Sequence, residues 1–229
     1  YDTYGKWKHT LAATLSGAVK ANLFRAKARH FASARAAALH SDNVPEAVYD
    51  NLIDTTRKHL PTLWRYLALR KRDLGVKRPT MYDLHVPLVP DQDARISWER
   101  ARDWTLDSIR PLGEEYGAVA KKAFRERWID VLENRGKRGG AYSSGHYDSP
   151  PYMLMNFQGT LHDVFTLTHE LGHSLHTWFS RETQDYHYAD YRTFVAEVAS
   201  TTNEILLNQY LRDRARSAGE RRYLLNQLA

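Results

Sequence analysis

The chain has 229 residues, enough for one large domain or two small ones. Hydrophobic residues make up 42% and charged residues 26%, which excludes a disordered protein, and no apolar run is long enough for a transmembrane helix. The absence of cysteine excludes disulfides, thiolate metal sites and a cysteine nucleophile, and it suits a cytoplasmic protein. The net charge of +6 comes from basic residues scattered among 27 acidic ones, so we expect neither nucleic acid nor a membrane as partner.

The two ends of the sequence bear on how much of the protein it represents. The chain begins at Tyr1 and ends inside an unfinished helical pattern. We therefore expect residues 1–229 to be part of a longer protein, in which a missing targeting signal carries little information.

Helical patterns account for most of the first third of the sequence. Within 6–39, apolar residues recur every four positions, with a weak point at Ser16-Gly17. A second helix begins at Pro45 and ends near Gly75, because proline suits a first helical turn and glycine a helix end. Pro61 inside this second helix predicts a kink or a break.

Further helical segments follow in the rest of the chain. Residues 97–134 have helical spacing and are divided into two helices by Pro111-Leu112-Gly113. The helical period returns at 161–180, at 191–216 and in a last helix that begins at Ala218. Nothing between these segments resembles an interdomain linker or an internal repeat.

Two short segments have the pattern of strands. Residues 81–89 alternate with a period of about two, and Pro87 assigns such a strand to a sheet edge. Residues 151–157 are apolar and rich in methionine, and a loop rich in glycine and serine precedes them at 136–145. The predicted fold is mainly α, with a small antiparallel sheet formed by 81–89 and 151–157.

The pattern H-E-x-x-H at His169, Glu170 and His173 is the first that carries chemistry. Two histidines four residues apart on a helix lie about 40° apart around its axis, so both imidazoles can face one metal ion. Glu170 lies about 100° from His169, close enough to act on a water molecule at the metal without binding the metal.

A catalytic zinc ion also needs a third protein ligand and one open position. One class of such enzymes has its third histidine ligand at the position that Phe179 occupies here, so that arrangement is excluded. His176 would be a third histidine on the same helix, and three histidines on one helix rarely form a tetrahedral metal site. We therefore expect His176 to have a packing or substrate-side role. A carboxylate from a second helix is the better candidate, and Glu182 is excluded because we assign it to a loop. Glu197 and Glu204 share one face of the next helix, and we expect Glu197, among apolar neighbours, to be a buried ligand.

Three segments are distinctive in combination. They are 137–145, with the sequence KRGGAYSSG, 169–174, with HELGHS, and 194–204, with FVAEVASTTNE. Together they resemble the thimet-oligopeptidase family of zinc metallopeptidases, and within it the oligoendopeptidase F group. Segments 33–39 and 82–88 are similar to the same group, so the resemblance runs over nearly the whole chain.

The resemblance implies a zincin-like helical fold with one zinc ion per chain. In that family the two motif histidines and the glutamate of an E-x-x-S motif bind zinc, and these match His169, His173 and Glu197, the last with Ser200. The glutamate after the first histidine is the general base, which matches Glu170, and we assign to Glu204 the orientation of a ligand histidine. The preceding loop lines the cleft and would bind the peptide substrate through Gly140, Ala141, Tyr142 and Ser143.

The implied function is endopeptidase cleavage of short oligopeptides by a zinc-activated water, with Glu170 as the base. Two alternatives remain, a helical zinc metallocarboxypeptidase with the same ligands and, more remotely, a basic helical module that binds nucleic acid. The family's catalytic domain continues with histidine and tyrosine residues that contact the substrate, and nothing after Glu204 matches them. We therefore expect residues 1–229 to be part of one catalytic domain, without its C-terminal part.

Overall fold

The computed structural model of the chain describes residues 2–86, 88–89 and 95–226. The chain divides into two compact units, 1–78 and 79–229. Every residue that the sequence assigns to the metal centre or to its peptide loop belongs to the second unit.

The first unit is helical, with α1 (Asp2–Lys6), α2 (Lys8–Ala28), α3 (Ala34–His40) and α4 (Glu46–Asp73). The weak point predicted at Ser16-Gly17 is wrong, because α2 runs through these residues and the chain turns instead at 29–33. His30 has a φ of 59° in that turn. The hydroxyl of Ser33 then accepts a hydrogen bond from the N–H of Ala36 at 2.9 Å, which starts α3.

α4 is a single long helix that is linked to α3 by ion pairs. Pro61 lies inside α4 without ending it, and Gly75 follows the helix with a φ of 66°, so the predicted end is confirmed. The guanidinium of Arg35 on α3 contacts the carboxylates of Glu46 and Asp50 at 2.6 and 2.8 Å. Such exposed pairs add little to stability, because solvent screens them.

The second unit contains α5 (Trp98–Ser108), α6 (Glu114–Arg125), α7 (Leu161–Thr183), α8 (Thr193–Asp213) and α9 (Ala218–Asn226). A short 3₁₀ helix at Arg110–Leu112 separates α5 from α6, which confirms the division predicted at Pro111. In the part of the chain that the structure describes, every helix is too short or too polar to cross a membrane.

The sheet has the strands β1 (Ile129–Asp130), β2 (Tyr142–Ser144) and β3 (Tyr152–Leu154), in the order β1-β3-β2. β1 is parallel to β3 and β2 is antiparallel to it, so the predicted antiparallel sheet is a mixed one. The strand predicted within 151–157 is confirmed as β3, whereas β1 falls where a helix was predicted up to residue 134. The helical run ends because Arg127 adopts a φ of 60°, after which Trp128 packs into the core.

The segment 81–89 does not form the predicted edge strand. Residues Met81–His85 form a 3₁₀ helix, and Pro87, on which the edge position depended, lies outside the described residues. The carboxylate of Asp83 accepts hydrogen bonds from the N–H and the hydroxyl of Thr80 at 2.6 and 2.9 Å. This local capping closes a helical turn and outweighs the alternating pattern.

α7 is the central helix of the second unit, because it belongs to both of the unit's hydrophobic clusters. In one cluster, Val164 and Leu167 of α7 pack with residues of α5, α8 and α9. In the other, Leu171 and Leu175 pack with residues of α6, with Trp128 and with β3. Full burial of a side chain of this size stabilises the fold by about 1.5–3 kcal/mol, so packing on two sides holds α7 firmly in place.

Candidate metal centre

α7 begins at a fixed point, about two turns before its first motif histidine. The hydroxyl of Thr160 accepts a hydrogen bond from the N–H of Asp163 at 3.1 Å, and the Asp163 carboxylate accepts one from the N–H of Thr160 at 2.9 Å. Gly159 precedes this capping box with a φ of 85°, and a Cβ there would lie 2.9 Å from the carbonyl oxygen of Ile96. The H-E-x-x-H motif therefore lies in the interior of a helix whose start is fixed.

The structure brings the three predicted metal ligands together. The Nε2 atoms of His169 and His173 are 3.1 Å apart. An Oε2 atom of Glu197, from α8, lies 3.4 Å from the first of these nitrogens and 3.3 Å from the second. Among the described residues, this is the group of histidine and carboxylate side chains that could hold a metal ion.

These distances fit a zinc ion. Zinc ligands lie about 2.0–2.2 Å from the ion, so neighbouring ligand atoms on a tetrahedral ion are about 3.3–3.5 Å apart. The three separations of 3.1, 3.3 and 3.4 Å are close to the edges of such a tetrahedron. Two imidazoles and a carboxylate are also a common ligand set of catalytic zinc, with the fourth position open.

Glu204 contacts the ring of His169 at Nδ1, the nitrogen that lies away from the ligand group. The Nδ1 atom of His169 lies 2.5 Å from Oε1 of Glu204, which is about two turns beyond Glu197 on α8. A proton on Nδ1 that is donated to this carboxylate leaves Nε2 unprotonated and directed at the other ligands. This contact would favour the tautomer of His169 that can bind a metal.

Glu197 is exposed, so the prediction of a buried carboxylate is wrong. Its side chain is 62% exposed, and the neighbours Phe194 and Val198 are exposed as well, so apolar sequence neighbours do not by themselves indicate burial. The hydroxyl of Ser200, one turn on, donates a hydrogen bond to Oε2 of Glu197 at 2.7 Å. This bond, together with the nearby histidines, lowers the pKa of Glu197 and favours the ionised form that a metal requires.

Glu170 lies beside the ligand group but belongs to a drier environment. Glu170 is 8% exposed, and this burial raises its pKa. The two motif histidines act in the opposite direction and partly lower the pKa again. The carboxylate accepts a hydrogen bond from the main-chain N–H of Ser143 in β2. A carboxylate with a raised pKa next to an open metal position is suited to accept a proton from water.

The predicted peptide loop leads into the edge strand β2. The side chain of Asn156 donates hydrogen bonds to the carbonyl oxygens of Gly140 and Arg138, at 2.8 and 3.0 Å, and so fixes the loop. Ala141 precedes the strand and is half-buried, and the Tyr142 side chain is 45% exposed. The structure therefore brings this loop to the sheet edge that adjoins α7.

The main chain of Ser143 faces the outer edge of the sheet. Its partner on β3 is Met153, whose N–H bonds to the carbonyl oxygen of Trp128 on the side away from β2. Paired residues of an antiparallel ladder alternate between facing each other and facing away, so the Ser143 main chain points outward, toward Glu170. The Ser143 hydroxyl lies 2.8 Å from the Ser174 hydroxyl on α7. Its side chain therefore joins the strand to the helix, a contact that the sequence did not indicate.

His176 packs, as predicted, and does not join the ligand group. Its ring stacks on Tyr191, with ring centres 3.7 Å apart and planes inclined by 11°, and burial lowers the pKa of His176. It also lines a largely apolar cavity of 400 Å³ with Tyr116 and Phe179. Glu182 belongs to the last turn of α7 and not to a loop, so it was excluded for a wrong reason, although it remains outside the ligand group.

Gly172 explains how closely α8 approaches α7. A Cβ on Gly172 would lie 2.6 Å from the Cα atom of Ser200 and 2.9 Å from the carbonyl oxygen of Ala199. No side chain fits there, so the glycine permits the approach that brings Glu197 to the histidines. Sequence reasoning treated this position as a variable residue of the motif, although a glycine inside a long apolar helix is a signal of close packing.

Comparisons with known proteins agree with this geometry. The chain matches the model of Peptidase family M3 over residues 1–228. It is 50% identical over 228 residues to oligopeptidase PepF of Bacillus subtilis (strain 168), covering 100% of this chain and 34% of the relative. It is 48% identical over 226 residues to the chromosomal oligoendopeptidase F of Lactococcus lactis subsp. cremoris, covering 99% and 37%. The chain thus spans about a third of the length of these curated relatives.

Solved structures show the same similarity. A crystal structure from Chlamydophila abortus matches with a TM-score of 0.85 at 40% identity, over 99% of this chain and 38% of that one. The crystal structure of oligoendopeptidase-F from Enterococcus faecium matches with a TM-score of 0.67 at 33% identity, over 100% and 33%. The resemblance inferred from the three sequence segments is therefore confirmed, and the chain belongs to Peptidase family M3.

Proposed function

We propose that residues 1–229 are part of the catalytic domain of a zinc-dependent endopeptidase that cleaves short oligopeptides. The observation that carries the proposal is the group of three ligand atoms 3.1–3.4 Å apart, with the buried Glu170 beside it. The names of the relatives, oligopeptidase and oligoendopeptidase F, describe those proteins as peptidases of oligopeptides and support the same activity here.

In this proposal each residue has a separate task. His169, His173 and Glu197 hold one zinc ion, and Glu204 keeps His169 in the binding tautomer. Zinc supplies Lewis-acid chemistry, since it activates a water molecule at neutral pH and polarises a peptide carbonyl. Glu170 accepts the proton of the attacking water and delivers it to the leaving amine, a role that suits a carboxylate whose pKa is raised by burial.

The edge strand β2 is the proposed binding surface for the peptide. An extended peptide that pairs with the outer edge of β2 runs past Gly140, Ala141, Tyr142 and Ser143 and lies next to Glu170. Main-chain pairing of this kind accepts many sequences, as degradation of mixed oligopeptides requires. Because cysteine is absent from the chain, we place this activity in the cytoplasm.

The test uses a fluorogenic peptide blocked at both ends, with the whole protein. We expect cleavage at an internal bond, loss of cleavage when a chelator removes the metal, and recovery with one equivalent of Zn²⁺. Cleavage restricted to peptides with a free C-terminus would favour a carboxypeptidase instead. Full activity after complete removal of the metal would contradict the proposal.

A further inference from the structure

A buried amide connects three helices next to the metal centre. Asn203 of α8 is fully buried, and its Nδ2 donates a hydrogen bond to the main-chain oxygen of Thr168 in α7 at 3.3 Å. Its Oδ1 accepts a hydrogen bond from the hydroxyl of Tyr116 in α6 at 3.2 Å. One side chain thus links α8 to α7 and to α6.

Asn203 and Glu204 act on neighbouring parts of the same metal ligand. Thr168 directly precedes His169, and Asn203 directly precedes Glu204, which accepts the Nδ1 hydrogen of His169. Consecutive residues of α8 therefore hold the main chain before His169 and the ring of His169. Glu204 controls the tilt and tautomer of the ring, whereas Asn203 controls the position of the backbone that carries it.

The orientation of the amide follows from its partners. A carbonyl oxygen can only accept, so Nδ2 of Asn203 must face Thr168 and Oδ1 must face Tyr116. Burial raises the pKa of Tyr116, which keeps its hydroxyl protonated as the donor. On the far side, the hydroxyl of Thr168 lies 2.8 Å from the hydroxyl of Thr105 in α5, so α7 is held at this residue from two directions.

We propose that Asn203 is a positioning residue of the metal centre. Through Thr168 it sets the separation of α7 from α8, and with it the distance between Nε2 of His169 and the carboxylate of Glu197. The inference rests on the proposed zinc site, and it extends that site to an amide that contacts neither metal nor substrate.

α8 offers a matched control for this role. Asn208 is also fully buried, and its Nδ2 donates to a main-chain oxygen of a neighbouring helix, that of Leu224 in α9, at 2.7 Å. Asn208→Leu removes one buried hydrogen bond to a main-chain oxygen, and Asn203→Leu removes one of the same kind together with the bond from Tyr116. We therefore expect both variants to lower the melting temperature of the metal-free protein, Asn203→Leu by the larger amount.

The decisive measurement is the Zn²⁺ affinity of the whole protein, by competition with a chelator. Asn203→Leu should bind Zn²⁺ about tenfold more weakly and shift the visible absorption bands of the Co²⁺-loaded protein. Asn208→Leu should leave affinity and bands unchanged. Equal affinities for the two variants would overturn the inference.

Tyr116→Phe keeps the proposal testable if Asn203→Leu does not fold. It removes only the hydroxyl that holds Oδ1 of Asn203, and we expect a loss of Zn²⁺ affinity of about threefold. An unchanged affinity in this variant would count against the positioning role. Failure of the unsubstituted protein to take up Zn²⁺ would overturn the proposed function itself, whereas normal uptake without a difference between the variants would overturn this inference alone.

Discussion

The two helices that carry the proposed metal ligands are held in place by different means. α7 is packed on two sides by the core, so its two motif histidines project from a fixed helix. The first turns of α8 are open to solvent, with Phe194 70% exposed and the Glu197 side chain 62% exposed. Glu197 takes its position from two local contacts, the hydrogen bond from Ser200 and the close approach of Ser200 to Gly172. The imidazole ligands depend on the core, and the carboxylate ligand depends on these contacts.

Glu170→Gln separates chemistry from metal binding on the α7 side. The amide keeps the shape of the carboxyl group but cannot accept the water proton, so we expect the turnover of a blocked peptide to fall by about a thousandfold. Zinc content should not change, because Glu170 is not a ligand. Glu182→Gln, at an exposed position of the same helix, is the control and should keep normal turnover. Near-normal turnover in Glu170→Gln would refute the assigned mechanism.

Glu197→Ala and Glu204→Ala compare a ligand on α8 with the residue that orients a ligand on α7. Loss of an outer partner such as Glu204 typically weakens metal binding about ten- to a hundredfold, and loss of the ligand Glu197 should weaken it further. Zinc retained after dialysis against graded chelator measures both. If Glu197→Ala retained zinc better than Glu204→Ala, the two roles would have to be exchanged.

Gly172→Ala tests the contact between the two helices. The added methyl group would meet main-chain atoms of α8, which cannot move aside alone, so we expect a loss of about 1–3 kcal/mol in stability and about tenfold weaker zinc binding. Gly117→Ala is the matched control, because a Cβ at this position of α6 meets nothing within 4 Å. That substitution should raise the free energy of unfolding by about 0.5–1 kcal/mol. A Gly172→Ala protein with unchanged zinc affinity would show that the close approach does not position Glu197.

Ser200→Ala should have the smallest effect, since it removes one hydrogen bond to Glu197 and leaves the carboxylate in place. We expect zinc binding to weaken by about three- to tenfold, with little change in melting temperature. Ser108→Ala removes a buried hydroxyl that bonds to the Thr105 carbonyl oxygen, away from the ligands, and serves as control. If Ser200→Ala bound zinc as well as Ser108→Ala does, the hydrogen bond from Ser200 would not be what positions Glu197 on α8.

The sequence predicts those features that depend on local spacing. Periodicity identified the helices that became α7, α8 and α9, and the four-residue spacing of the motif histidines was enough to bring their Nε2 atoms within 3.1 Å of each other. It failed where a single residue changed the course of the chain, as at Arg127, whose positive φ ends the helical run before β1. At 81–85, the Thr80 and Asp83 contacts produced a helical turn that alternation did not indicate.

The rest of the site depends on the register between helices, which spacing does not reveal. Glu197 was expected to be buried because its sequence neighbours are apolar, yet those neighbours are themselves exposed on the surface of α8. The contact of Gly172 with Ser200 and the bond from Asn203 to Thr168 arise only when α7 and α8 cross at one particular place. A polar residue within an apolar helix, such as Asn203, is the signal that would have indicated a buried contact.

The three-residue length of β2 has a consequence for the solubility of the protein. An open strand edge can pair with the edge of another molecule, and long flat edges therefore lead to aggregation. In β2, Tyr142 and Ser144 turn their main chain toward β3, and the outward N–H of the middle residue, Ser143, is already bonded to Glu170. This edge can hold a flexible peptide beside Ser143, but it has too few outward main-chain groups to start a sheet that extends from one molecule to the next.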